Sequence, residues 1–170
     1  MLARLFRFDL SPLTDIILVS DSNYANERPR IDNNEAGYFV IAWESHGILS
    51  PRRVLIQRFD PFGNKIGSNM NVSDSGVSSR KSYVDVTVRN DGSFIVCWED
   101  NRLNLGEQDI YCQMYSSSGT KIGSNILVND FTLDTQFAPK ITSDSSGNFC
   151  VTWYELLAAS AYCQYFNSSG

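Results

Sequence analysis

Three tryptophans, Trp43, Trp98 and Trp153, stand 55 residues apart, and each closes an almost wholly apolar run, YFVIAW, FIVCW and FCVTW. Other anchors keep the same order around them: Gln57, Gln113 and Gln164, then Gly63, Gly119 and Gly170. The segments at 59–74 and 115–130, FDPFGNKIGSNMNVSD and YSSSGTKIGSNILVND, agree almost position for position. A fixed period constrains the fold more than any single residue does. Each copy is one supersecondary unit that buries its apolar face only by stacking on a neighbour.

Each unit divides into four short runs bounded by turn residues. A first run (RPRID, YVDVTV, APKITS) leads into turns rich in Asn, Asp, Ser and Gly, which tolerate positive φ or form side-chain turns. The tryptophan run follows, then VLIQRF, DIYCQMY or AYCQYF, a second tight turn, and KIGSNMNV or KIGSNILV. Short, β-branched and aromatic runs of this kind are strands and not helices. The run Phe94-Ile95-Val96-Cys97-Trp98 does not alternate apolar with polar, so the tryptophan strands are expected to be buried on both faces. Four-stranded sheets stacked face to face in this way make an all-β, β-propeller-like fold of about three blades, at roughly 50 residues per blade. A sandwich domain needs about seven strands and does not fit the unit.

The expected boundaries are residues 1–20 as the last two strands of a preceding blade, then blades at 21–74, 75–130 and 131–170, the third lacking its fourth strand. The segment at 5–21, LFRFDLSPLTDIILVSD, matches IQRFDPFGNKIGSNMNVSD with two residues removed. Propellers typically hold about four to eight blades. Three blades therefore imply a piece of a larger ring, or copies that self-associate through open blade faces and terminal strands.

Composition narrows the function classes. A hydrophobic content of 42% with 19% charged residues belongs to a folded chain, and a net charge of −5 lacks the basic footprint of nucleic-acid binding. No apolar run reaches the roughly 18 residues of a membrane helix, so membrane insertion is not expected. Cys97, Cys112, Cys150 and Cys163 show no C-x-x-C spacing and His46 is the single histidine, so neither a metal nor another cofactor is expected. The cysteines are expected to be small buried hydrophobes, with Cys97–Cys112 the one pairing worth testing.

The second unit carries Gly92-Ser93-Phe94, Trp98-Glu99-Asp100, Asp109-Ile110-Tyr111-Cys112-Gln113, Gly119-Thr120-Lys121-Ile122-Gly123-Ser124-Asn125 and Val128-Asn129-Asp130. In these residues the chain resembles bacterial secreted or cell-surface β-propeller repeat proteins, and its SSSGTKI turn is loosely similar to the Asp-box turns of sialidase-type propellers. The resemblance implies an extracellular or surface location and hands over no catalytic residue. The first unit departs most, with Ala42 before the tryptophan and Glu44-Ser45-His46 after it, and the third has Tyr154-Glu155.

Connections after the tryptophan strand and between units vary, whereas the two tight turns are nearly constant. Variable loops on a rigid scaffold are where binding groups usually ride. Candidate rim residues are Glu44, His46, Arg52, Arg53, Glu99, Asp100, Arg102 and Glu155. Carboxylates in an arc can hold a cationic partner or serve as acid and base, and clustered arginines can hold a carboxylate or sulfate bidentately. Against this, a residue that recurs in every unit is expected to serve the fold, by bonding loop backbone or an arginine. No nucleophilic triad can be built around His46. The expected function is a non-enzymatic binding or scaffold module for a protein or glycan. The alternatives are a fragment of a sialidase-like glycan hydrolase, completed by further blades, and a structural spacer.

Overall fold

The computed structural model describes residues 1–20, 24–47, 52–73, 79–103 and 106–170. The variable connections after the tryptophan strands (45–53, 101–108) and between units (22–29, 75–82) therefore lie partly outside the described residues. All regular structure among the described residues is β. A hairpin of β1 (Leu2–Ala3) and β2 (Ile17–Leu18) comes first. A four-stranded antiparallel sheet follows, made of β3 (Ala25–Asn33), β4 (Phe39–His46), β5 (Arg53–Phe59) and β6 (Lys65–Asn71). The second four-stranded sheet holds β7 (Lys81–Val88), β8 (Phe94–Asp100), β9 (Asp109–Tyr115) and β10 (Lys121–Leu127). The third has three strands, β11 (Gln136–Ser143), β12 (Phe149–Glu155) and β13 (Ser160–Phe166). Strands follow chain order in every sheet. The sheets approach one another mainly through their first strands, β3 to β7 and β7 to β11, as blades do around an axis. Among the described residues they do not close into a ring. The fold is all-β and propeller-like.

The register repeats with the sequence. Trp43, Trp98 and Trp153 stand opposite Leu55, Tyr111 and Tyr162 on the third strand of their sheets. Phe39–Phe59, Phe94–Tyr115 and Phe149–Phe166 stack across the same strand pair with centroids 4.7, 4.8 and 4.7 Å apart. The tight turns are set by aspartates: Asp60, Asp91 and Asp144 each accept the N–H two residues on, from Phe62, Ser93 and Ser146. A carboxylate satisfying its own turn in this way is a turn former.

Apolar burial follows the stacking. One cluster joins the hairpin to the first sheet around Val19, Phe39 and Trp43. A second lies between the first and second sheets, with Ala42, Val54, Ile56, Phe94 and Trp98. The third joins second and third sheets through Ile95, Cys97, Ile110, Phe149 and Trp153. Each tryptophan thus faces the sheet before its own. The expectation of burial on both faces holds for β4 and β8 but not for β12, where Phe149, Val151 and Trp153 are buried while Thr152 and Tyr154 are exposed. No further sheet among the described residues covers that second face.

The N-terminal hairpin differs from its sequence match. Arg7-Phe8-Asp9 imitates Arg58-Phe59-Asp60, yet Phe6 pairs with Pro12 where Phe59 pairs with Lys65. Leu2 likewise stands opposite Leu18 where Leu55 stands opposite Asn71. Nothing has been removed; the similar residues sit two places out of register. Leu10, with φ 65°, takes the turn position held by Gly63 at 84°. The cysteines follow expectation in part: all four are free and Cys97 and Cys112 oppose each other in a buried pair, whereas Cys150 is half-buried and Cys163 is exposed.

Candidate functional site

The first strand of each sheet carries one irregularity near its start. Registers slip between Glu27 and Arg30, between Ser82 and Asp85, and between Phe137 and Lys140. Inside each slip one residue is left-handed: Arg28 (φ 50°), Tyr83 (φ 51°) and Ala138 (φ 54°). Such a conformation costs about 1–2 kcal/mol and turns that residue's N–H out of the ladder. The carboxylates that follow the tryptophans take up these groups. Glu44 Oε1 accepts the N–H of Tyr83, and Glu99 Oε1 accepts that of Ala138, both at 2.7 Å. Each glutamate at the end of a second strand thus holds the bulge of the next sheet.

Both glutamates are buried and fully engaged. Glu44 also receives Arg28 Nη1 on both oxygens, at 3.2 and 3.1 Å, and Arg52 Nη1 on Oε2 at 2.8 Å. Glu99 Oε2 accepts the Ser82 hydroxyl at 2.9 Å. Burial pushes the Glu99 carboxyl above the ordinary carboxylate range, and its bonds to Ala138 and Ser82 offset this only in part.

The other candidates fall into separate groups. Asp100 accepts from the Trp98 indole at 3.3 Å, from the Arg102 N–H at 3.1 Å and from Arg102 Nε at 2.9 Å. Arg102 lies 4.2 Å over the Tyr111 ring and donates to Asn125 Oδ1, so this pair ties β8, β9 and β10 together. Glu155 is half-buried at the end of β12, and its bond with the Tyr162 hydroxyl raises that phenol above its ordinary value. The eight residues do not form one arc of free side chains.

One cluster does assemble, at the edge of the first sheet. Glu27, Arg28, Glu44, His46 and Arg52 meet there, with His46 Nε2 3.0 Å from Glu27 Oε1 and Arg52 Nη1 reaching both Glu27 and Glu44. The His46 contact holds the Glu27 carboxyl below its ordinary value. Arg28 lies 4.6 Å over the ring of Tyr83, which is 39% exposed, and Arg53 lies 5.9 Å over that of Tyr24, which is 46% exposed. Glu27, Tyr83 and the bulges carry no signature in the sequence, because Arg28, Tyr83 and Ala138 share a backbone angle and no side-chain chemistry. Their 55-residue spacing was the available signal.

Closer to the axis, equivalent positions of the three first strands hold alternating charges. Asp85 lies 3.9 Å from Arg30 and 3.5 Å from Lys140. Among the described residues, no three His, Cys, Asp or Glu side chains are grouped so as to hold a metal ion.

No family model matches the chain, and no curated protein matches it. Among solved structures, the crystal structure of an endo-arabinase from Bacteroides thetaiotaomicron VPI-5482 matches with a TM-score of 0.55 at 14% identity. The match covers 88% of this chain and 60% of the endo-arabinase chain, so the present chain spans about three fifths of that protein's length. At such identity the likeness carries the fold alone.

Proposed function

We propose that the chain is a propeller-type binding module, that its ligand-facing surface is the charged edge of the first sheet, and that the ligand is an acidic glycan. One observation carries this reading: half-exposed arginines stacked on exposed tyrosines, Arg28 on Tyr83 and Arg53 on Tyr24, beside Arg52 and His46. Aromatic faces take the C–H surface of a sugar, and guanidinium groups take a carboxylate or sulfate. His46, Arg52 and Arg53 are also where the first unit breaks the repeat, as a ligand-specific site requires. The resemblance of the units to secreted and cell-surface propeller repeats favours an extracellular setting.

The recurring carboxylates count against acid–base chemistry. A general acid or base must reach the substrate's proton, and both oxygens of Glu44 and of Glu99 already accept internal bonds. The likeness to an endo-arabinase favours a second reading, a glycan hydrolase built on this scaffold.

Binding to a panel of neutral, uronate-bearing and sulfated glycans separates the two. The module reading expects saturable binding of acidic members, weakened about tenfold by Arg53→Ala or Tyr24→Ala with unfolding midpoints unchanged. No acidic glycan bound, or variants that change only stability, overturns it. Release of reducing ends from an arabinose-containing polysaccharide favours the hydrolase.

A further inference from the structure

We propose that a cavity between the first and second sheets, at the end where their tight turns lie, binds a small organic carboxylate with a flat apolar body, anchored by Arg58. Arg58 on β5 stands opposite Val40 on β4 and Ile66 on β6, on the face that meets the second sheet. Met114 holds the corresponding place in the second unit, opposite Ile95 and Ile122, and Tyr165 holds it in the third. Where the second unit packs a methionine between sheets, the first places a cation.

The turn between β9 and β10 fixes that cation. Arg58 Nη1 donates to Ser117 O at 2.8 Å, and the guanidinium lies against Gly119, where an added Cβ would sit 2.8 Å from Cζ and 3.0 Å from both Nε and Nη2. Nε is buried without a hydrogen-bond partner, and no bond to Nη2 is found among the described residues. Nε and Nη2 form an edge of the fork that takes a carboxylate bidentately. Burial holds this guanidinium below its ordinary pKa, with no carboxylate among the described residues to offset it. A desolvated cation without a partner is costly, and an anion completes it.

The cavity beside it measures about 210 Å³ and is walled by Tyr38, Phe39, Val40, Phe59, Ile66 and Val88. Phe39 and Phe59 are the stacked pair of the first sheet. An apolar cavity of about 150 Å³ admits benzene, so this one has room for a six-membered ring bearing a carboxylate. Its polar lining does not favour a sugar. Asn34 engages its amide with the Tyr38 N–H and the Arg89 carbonyl, and Asp91 turns Oδ1 to the N–H and hydroxyl of Ser93. The hydroxyls of a uronate would find few partners there. The charged edge around Glu27 and Arg28 is a different place, at the opposite end of β4.

The test is a titration of the full chain with benzoate, followed by NMR in a buffer free of phosphate and of other carboxylates. Saturable shifts are expected at the amides of Phe39, Val40 and Gly92. Benzamide, which keeps the shape without the charge, should bind at least tenfold more weakly, and so should glucuronate, which keeps the charge without the apolar body. R58M installs the residue of the second unit and should weaken benzoate by tenfold or more in a chain that stays folded. R58K keeps the charge but loses the fork; it should also weaken binding, and it covers the case in which R58M does not fold. No saturable shift, or benzamide or glucuronate bound as tightly as benzoate, overturns the proposal. So does indifference to R58M, or to R58K where R58M does not fold, and so do shifts confined to the amides around Tyr83.

Discussion

Glu99 lies where water does not reach, 1% exposed, with the N–H of Ala138 and the hydroxyl of Ser82 both aimed at it. Those bonds favour the ionised form, while the cost of burial is the larger influence and lifts its pKa. A raised folded pKa means that the native state holds the proton more tightly than the unfolded chain does. The associated stability is present below the ordinary glutamate pKa of about 4.3 and is lost as pH rises through the raised value. Replacing Glu99 by Gln removes this titration. Urea unfolding at a series of pH values should therefore show wild type losing ground to E99Q, on the order of 1 kcal/mol, as pH rises from about 4 to 7. A difference that is flat in pH, or that runs the other way, contradicts the environment assigned to Glu99. At this scale the sequence was informative about roles and silent about partners. Recurrence of Glu44 and Glu99 after each tryptophan marked them as fold residues, but the groups they hold are main-chain N–H atoms 39 residues on, at Tyr83 and Ala138. A backbone angle leaves no residue type to read. Arg52 and His46 were visible as breaks in the repeat, whereas their meeting at Glu27 depended on the strand register.

Strands and turns were the most readable level, because burial and turn geometry act directly on residue type. Tryptophan and its aromatic partners fix which face meets the preceding sheet, and Asp60, Asp91 and Asp144 fix the turns. The N-terminal hairpin was misread in register because Arg7-Phe8-Asp9 repeats the letters of Arg58-Phe59-Asp60 while Leu10, not a glycine, takes the left-handed turn position. Two glycines on one hairpin allow the backbone cost to be separated from the packing cost. Gly123 has φ 66° and open space around its Cα, so G123A should cost about 1–2 kcal/mol, the price of the left-handed backbone alone. Gly119 has φ 87°, and an added Cβ would lie 2.8 Å from Arg58 Cζ. G119A must therefore also displace Arg58 from Ser117 O, which it now reaches at 2.8 Å. Urea unfolding should place G119A below G123A by no more than the Arg58–Ser117 contact contributes, and a G119A that is the more stable of the two contradicts this packing.

Across the molecule, burial grades the four cysteines. Cys163 is exposed, whereas Cys97 and Cys112 are closed in between the second and third sheets. Burial raises the Cys97 thiol well above its ordinary value and pushes Cys112 up to about 12. Thiolate is the reacting form, so a thiol reagent should label Cys163 in the native protein and reach Cys97 and Cys112 only at the rate of unfolding. Rapid native labelling of Cys112 would mean that the second and third sheets do not pack as described. The stacking of sheets was readable from the period and from runs such as FIVCW, since nothing but a neighbour on each side buries such a strand. The exposed second face of β12 was foreshadowed by Thr152 and Tyr154, and was masked by the expectation that all three units behave alike. Besides the apolar clusters between them, the sheets are joined by the carboxylate at the end of one second strand holding the left-handed N–H of the next first strand. Amide exchange at Tyr83 and Ala138 tests this most directly. Both N–H groups lie outside the regular ladder and should nonetheless exchange as slowly as the core amides of β8, through global unfolding alone. Exchange at the rate of open loop amides would contradict it.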